Sequence, residues 1–148
     1  MTEPLRVEFT VVCSAEHAFQ VWTERTSMWW PVDHSVSSEQ GLVVTIEPHA
    51  GGRIFERTPG GIEHDWGEVV AWEPPRRIAY MWHIGNPRDR ATEVDISFHD
   101  EGDTTRVLIV HGGWDRLGEG GEDLRNRNRS GWAGLLPHFE AACANPIF

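Results

Sequence analysis

Residues 67–82 read Gly-Glu-Val-Val-Ala-Trp-Glu-Pro-Pro-Arg-Arg-Ile-Ala-Tyr-Met-Trp. After the prolines, Ile78, Tyr80 and Trp82 fall at alternate positions, the side-chain period of a strand with one face on a core. Before them, residues 64–72 form another strand that carries Trp66 and Trp72. Pro74-Pro75 cannot continue a hydrogen-bonded ladder and so separates the two segments. Strands joined by so short a turn are antiparallel neighbours.

The same pattern extends in both directions. Residues 5–13 alternate Leu5, Val7, Phe9, Val11 and Cys13 against Arg6, Glu8 and Thr10, a strand with one wet face. Ser14 is placed to cap a helix in which Ala15, Ala18, Phe19 and Trp22 share one side. That helix is expected to end near Thr26, and a turn holding Trp29, Trp30 and Pro31 leads into a polar stretch, 33–41. Strands follow over 42–47, 53–58, 64–72, 76–84, 92–99 and 104–111, separated by turn sequences such as Gly51-Gly52 and Pro59-Gly60-Gly61. Residues 112–123 are rich in glycine and are expected to form a loop, acting as a lid or simply mobile. A last helix carries Trp132, Leu135, Leu136, Phe139, Ala142 and Cys143 at helical spacing, with a kink expected at Pro137.

This order allows one economical packing, an α+β fold in which a curved antiparallel sheet of about seven strands lays its concave side on the long C-terminal helix. The chain is expected to be a single domain over residues 1–148. Eight of its 148 residues are tryptophan. Each indole buries about 150–250 Å² and wants a partner for its N–H, so a sheet and one helix have difficulty closing solidly around them all. An aromatic-walled cavity between helix and sheet is the expectation, with a core packed solid by tryptophan as the alternative.

Composition excludes several kinds of chemistry. The formal charge of −10 argues against a nucleic-acid partner, whose phosphates it would repel. Arg125, Arg127 and Arg129 form a local basic cluster, read as the solvated approach to the last helix. All 13 basic residues are arginine, so no Walker A lysine, Schiff-base lysine or lysine general base exists. Cys13 and Cys143 are far apart in sequence, lack C-x-x-C spacing and read as small apolar residues of a reducing compartment. Glu3, Arg6 and Glu8 interrupt the apolar residues of the N-terminus, so no signal peptide or membrane span is expected there and a cytoplasmic location is. The exposed edges of such a sheet allow a homodimer without requiring one.

The segment from Gly67 to Val70, through Glu73-Pro74-Pro75-Arg76-Arg77-Ile78 to Tyr80 and Trp82, resembles the central signature of the SRPBCC, or START-like, helix-grip superfamily. More narrowly it is similar to the family named after the C-terminal domain of the activator of a heat-shock chaperone ATPase. Trp29-Trp30-Pro31, Thr105-Arg106-Val107 with His111-Gly112-Gly113-Trp114, and Gly131-Trp132 with Leu136 and Phe139 agree in order. The likeness runs from about residue 5 to residue 144, and Pro137 is a possible departure from it. It implies a helix-grip fold in a superfamily that includes lipid carriers, hormone receptors and polyketide cyclases.

Motifs for other chemistries are absent. There is no H-E-x-x-H and no cysteine–histidine set with zinc spacing, so no metal site is expected; His83 and His99 oppose the Trp82 and Phe98 face and read as surface residues. His111-Gly112-Gly113 resembles an esterase oxyanion turn, but no nucleophile elbow accompanies it. Asp33, His34, Glu56, Arg57, His64 and Asp65 remain as polar residues able to border the cavity. A carboxylate buried among indoles there would have a raised pKa and be able to act as an acid or base, but no spacing selects a pair, and structural salt bridges account for these charges at least as well.

The expected function is binding of a small hydrophobic or aromatic molecule between helix and sheet. Trp30, Phe55, Trp66, Tyr80, Trp82, Phe98, Trp114, Trp132, Leu136 and Phe139 are the candidate lining, and no cofactor is called for. The alternatives are a cyclase, dehydratase or hydrolase using the same cavity, and a protein that presents its surface to a chaperone.

Overall fold

The computed structural model describes residues 2–144; Met1 and residues 145–148, which the expected domain includes, lie outside the described residues. The chain enters as β1 (Leu5–Val11) and turns into α1 (Ala15–Glu24) and the short α2 (Thr26–Trp29). The strands β2 (Val43–Ile46), β3 (Arg53–Arg57), β4 (Glu63–Glu73), β5 (Arg77–Trp82), β6 (Thr92–Asp100) and β7 (Thr105–Gly112) follow. A 3₁₀ segment, Trp114–Gly120, then leads into α3 (Gly121–Ala144).

The seven strands form one curved antiparallel sheet in the order β1-β7-β6-β5-β4-β3-β2. Strands β2 to β7 are successive hairpins, whereas β1 and β2 lie at opposite edges. Helices α1 and α2 therefore carry the chain from one edge to the other. Ser14 caps α1, its hydroxyl accepting from the His17 N–H at 3.1 Å, and Ala15, Ala18, Phe19 and Trp22 are all buried.

Gly67 in β4 has a specific steric role. A Cβ there would fall on the carbonyl oxygen of Met81, so only glycine lets β5 approach at this point, where Gly67 pairs with Trp82. The register shifts twice along β4, leaving Trp66 as the extra residue against β3 and Val70 as the extra residue against β5.

Under the sheet the aromatic rings mesh. The rings of Trp22 and Phe139 lie 4.8 Å apart, those of Trp22 and Trp29 5.0 Å, and Phe139 meets Phe9 edge-on at 6.1 Å. Phe19 meets Trp72 at 5.2 Å and Phe98 at 5.5 Å. Most of the expected hollow is thus filled by aromatic contact, and a cavity remains beside this cluster.

Helix α3 differs most from expectation. It has 24 residues and starts at Gly121, about two turns or more before its apolar stripe becomes legible. The glycine-rich segment ahead of it is not an open lid, because Trp114 is buried within it and anchors it. Pro137 lies inside the helix, exposed. The carbonyl it deprives of a donor belongs to Ala133, also on the solvent side, where water can satisfy it. Among the described residues, no helix is long and apolar enough to cross a membrane.

Candidate functional site

A cavity of about 310 Å³ lies between α3, the turn after β5 and the segment after α2. Trp30, Trp82 and Trp132 supply indole walls, with Ile84, Leu124 and Leu135 beside them. Its polar groups are His34, Asn86, Arg127 and Asn128. The helix contributes Leu124, Arg127, Asn128, Gly131, Trp132 and Leu135, one face of successive turns.

Each indole is held from behind. Trp30 donates its N–H to the His34 carbonyl at 3.0 Å, and its ring lies 5.0 Å from that of Trp66 and 5.9 Å from that of Trp82. Trp132 donates to Nδ1 of His111 at 3.0 Å. Because Nδ1 accepts, the neutral imidazole carries its proton on Nε2 and donates it to Thr92 Oγ1 at 2.7 Å. Thr92 passes its own hydroxyl proton to the Trp82 carbonyl at 3.2 Å. A continuous relay therefore joins the helix wall to the sheet wall. Burial pushes the His111 pKa down to about 3, so the ring stays neutral. Trp114 completes the arrangement, its ring tilted against the imidazole at 4.4 Å between centroids and its N–H donating to the His111 carbonyl at 2.9 Å.

Glu56 departs from the expected acid or base. It is fully buried, and burial alone would raise its pKa, but hydrogen bonds from the Ser37 hydroxyl, the Val36 and Ser37 amides and the Trp66 indole outweigh that and lower it. Val36 N–H donates to Oε1 at 2.6 Å, Trp66 Nε1 to the same oxygen at 2.8 Å, and Ser37 N–H to Oε2 at 3.0 Å. This carboxylate ties the segment after α2 to the sheet and so fixes one side of the cavity.

The structure brings three of the ten expected lining residues, Trp30, Trp82 and Trp132, to the cavity. Trp66, Trp114 and Phe139 are sealed in the core, and Leu136 packs there too. Tyr80 is buried with its hydroxyl already bonded to the Trp22 indole, and burial raises its pKa. Phe55 points to the outer face, opposite the buried Ile54 and Glu56, with the Arg53 guanidinium 4.1 Å from its ring centroid. Phe98 borders a separate, wider depression of about 610 Å³ formed with Ser14, Pro74–Arg76 and His99, which contains no indole.

Of the polar candidates, His34 borders the cavity. Arg57 and Asp65 pair with Glu63 and Arg53 on the exposed side of the sheet. Arg127 is not simply a solvated approach to the helix: it faces the cavity and has no ion-pair partner among the described residues. Asn86 and Asn128 were not singled out from sequence, and Gly131 entered only through the family likeness, not as a lining residue. The signal that could have found the helical ones is the backward extension of the Trp132 and Leu135 stripe to residues 131, 128 and 124. Among the described residues, no group of three or more histidines, cysteines or acids could hold a metal ion.

A curved sheet gripping a long helix, with a cavity beside the grip, defines a helix-grip protein of the ligand-binding or cyclase type. The chain belongs to the family described as "Activator of Hsp90 ATPase homolog 1-like protein", which matches residues 12–144. Among solved structures it is similar to Txn09, an anthrahydroquino-γ-pyrone synthase, with 32% identity, a TM-score of 0.59 and coverage of 82% of this chain and 84% of that one. CalC of Micromonospora echinospora, a self-sacrificing resistance protein, is 26% identical with a TM-score of 0.68, covering 95% and 94%. The Mesorhizobium loti protein MLL2253 shares the fold at 17% identity, with a TM-score of 0.68 and coverage of 93% and 94%. No curated protein matches the chain.

Proposed function

We propose that the chain binds a flat aromatic molecule of a few fused rings in the cavity beside α3. The observation that carries this reading is the set of three indole faces around an open space of about 310 Å³, bordered by four polar side chains. That size and mixture suit a small ligand held by apolar burial and oriented by a few hydrogen bonds. The indole N–H of Trp82 adds support, since it has no acceptor among the described residues and no buried side-chain nitrogen or oxygen lacks a partner. It is therefore open to solvent or to a guest.

Gly131 points the same way. In the interior of a helix, glycine costs about 1 kcal/mol relative to alanine. Here its φ is not positive, and an added Cβ would meet nothing within 4 Å. Neither backbone conformation nor core packing calls for glycine, whereas an open cavity wall does.

A second reading, a cyclase-type enzyme using the same cavity, is favoured by the 32% identity to a synthase whose name specifies a fused-ring aromatic product. Both readings predict the same first result. Titration with 2-hydroxyanthraquinone should quench the tryptophan emission saturably, and Gly131→Leu, which fills the space, should abolish the quenching without unfolding the helix. Equal quenching of the parent and the variant would place the ligand elsewhere. Native mass spectrometry of freshly purified protein should show a small molecule retained.

A further inference from the structure

The cavity carries an acid–base pair that binding alone does not require. His34 Nδ1 lies 3.1 Å from Oδ1 of the neighbouring Asp33. A carboxylate only accepts, so Nδ1 carries a proton, and in the neutral ring Nε2 is then the acceptor. The imidazole is two-thirds buried and borders the cavity, whereas Asp33 is largely in solvent. Two bonds hold the ring's backbone in place: the Trp30 indole donates to the His34 carbonyl, and the His34 amide donates to the Pro31 carbonyl at 3.0 Å.

Helix α3 faces the edge of the ring that bears Nε2, at Gly134. A Cβ there would sit 3.4 Å from Nε2 and 3.7 Å from Cε1. The φ of Gly134 is not positive, so the glycine is not needed for backbone conformation, and its effect is to leave this edge of the imidazole uncovered. Arg127, seven residues earlier on the same helix, supplies a guanidinium to the same cavity. The charged groups at this end of the molecule are thus Asp33, bonded to His34 from its own segment, and Arg127, which borders the same cavity from α3; the turn after β5 contributes the neutral Asn86.

We infer that His34 takes a proton from an acidic hydroxyl of the bound aromatic molecule, that Asp33 orients it, and that Arg127 holds the resulting anion. The inference rests on the aromatic-ligand reading and narrows it to phenols and enols. The step balances without a co-reactant. The ligand O–H bond breaks, its proton goes to Nε2, the electron pair stays on oxygen, and the imidazolium formed is paired with Asp33. An anion made in this way is nucleophilic at oxygen and at the ring carbons ortho and para to it, which is the reactivity a ring closure needs.

The test uses the full chain and 2-hydroxyanthraquinone, whose absorption moves to longer wavelength when the phenol ionises, at a pH one unit or more below the phenol's own pKa. The bound probe should absorb as the phenolate. His34→Gln keeps the size and polarity of the side chain but cannot hold the proton. At saturating probe it should raise the apparent pKa of the bound phenol by about one unit or more, a tenfold loss of phenolate. Asp33→Asn should give a smaller shift of the same sign, the behaviour of a positioning residue, and 2-methoxyanthraquinone should bind without any spectral change. A probe that quenches fluorescence but stays neutral on the parent protein, or a phenolate spectrum unchanged in His34→Gln, overturns the proton transfer and leaves the binding reading standing. A probe that does not quench at all overturns both.

Discussion

Trp132 and His111 are joined across 3.0 Å, the indole of the long helix donating to an imidazole that has no solvent exposure. The bond fixes the tautomer of the ring and, through Thr92, ties a wall of the cavity on α3 to one on β5. It also makes the fold sensitive to acid.

Unfolded histidine takes up a proton below about pH 6.5, but buried His111 does not until about pH 3. Between these values the unfolded state binds the extra proton, so stability is fully present above the upper value and falls as pH drops through the window. The slope should approach 1.4 kcal/mol per pH unit at most. Glu56, with its lowered pKa, adds loss of the same sign below about 4.5. Urea unfolding followed from about pH 7 to pH 4 should show the decline, and His111→Gln should flatten it between pH 6.5 and 4.5. An unchanged slope in that variant would mean that another group is responsible.

Glu56→Gln is nearly isosteric but replaces an acceptor oxygen with an NH₂ that must face N–H donors. It should destabilise the protein by about 2–4 kcal/mol, the scale of losing charge-assisted bonds and burying an unmatched donor. Thermal unfolding measures this. A change below about 0.5 kcal/mol would show that the segment after α2 does not depend on this carboxylate.

Gly131→Ala should raise stability by about 0.5–1 kcal/mol, since it adds helix propensity without a clash. The same substitution should weaken binding of 2-hydroxyanthraquinone, because the added methyl projects into the space a guest would fill. A stabilised protein with unaltered affinity would remove Gly131 from the site.

Trp82→Ala should weaken binding of the same probe by about 1–3 kcal/mol, the range of a large aromatic contact. Isothermal titration calorimetry reads this independently of the lost fluorophore, and an unchanged affinity would remove Trp82 from the wall.

Cys143 is buried, and burial pushes its thiol well above the ordinary range; the free thiol of Cys13, hydrogen-bonded to it, is also raised, chiefly by burial. Little thiolate is present at neutral pH, so alkylation by iodoacetamide should be far slower on the native protein than in urea. Similar rates in the two conditions would count against the closed packing at the end of α3.

The strands were legible because alternation of apolar and polar residues is a local signal, and Ile78, Tyr80 and Trp82 have only one way to face inward together. In β3 strict alternation sets Ile54 and Glu56 against Arg53, Phe55 and Arg57, but the buried side carries a carboxylate, so hydrophobicity alone assigned Phe55 to the wrong face. The start of α3 was hidden because residues 121–130 are mostly polar; Glu122 and Asp123 in the first turn suit the helix dipole, but the stripe to follow is thin. At the site, sequence indicated which side of the sheet each aromatic residue takes, but not its depth. Trp66 and Trp82 lie on the same face one strand apart, yet Trp66 is sealed against Glu56 while Trp82 borders open space. The acceptor role of Glu56 needs four donors from two distant segments, and no spacing rule anticipates it.

Carrying the chain from one sheet edge to the other before the hairpins begin has a consequence for synthesis. The partner of β1 is β7, about a hundred residues downstream, and the indoles at positions 30, 82 and 132 come together only after most of α3 has left the ribosome. Until then the nascent chain presents an unpaired ladder and uncovered aromatic rings, so a ribosome stalled before α3 has emerged would hold a species prone to aggregate and unable to hold a guest.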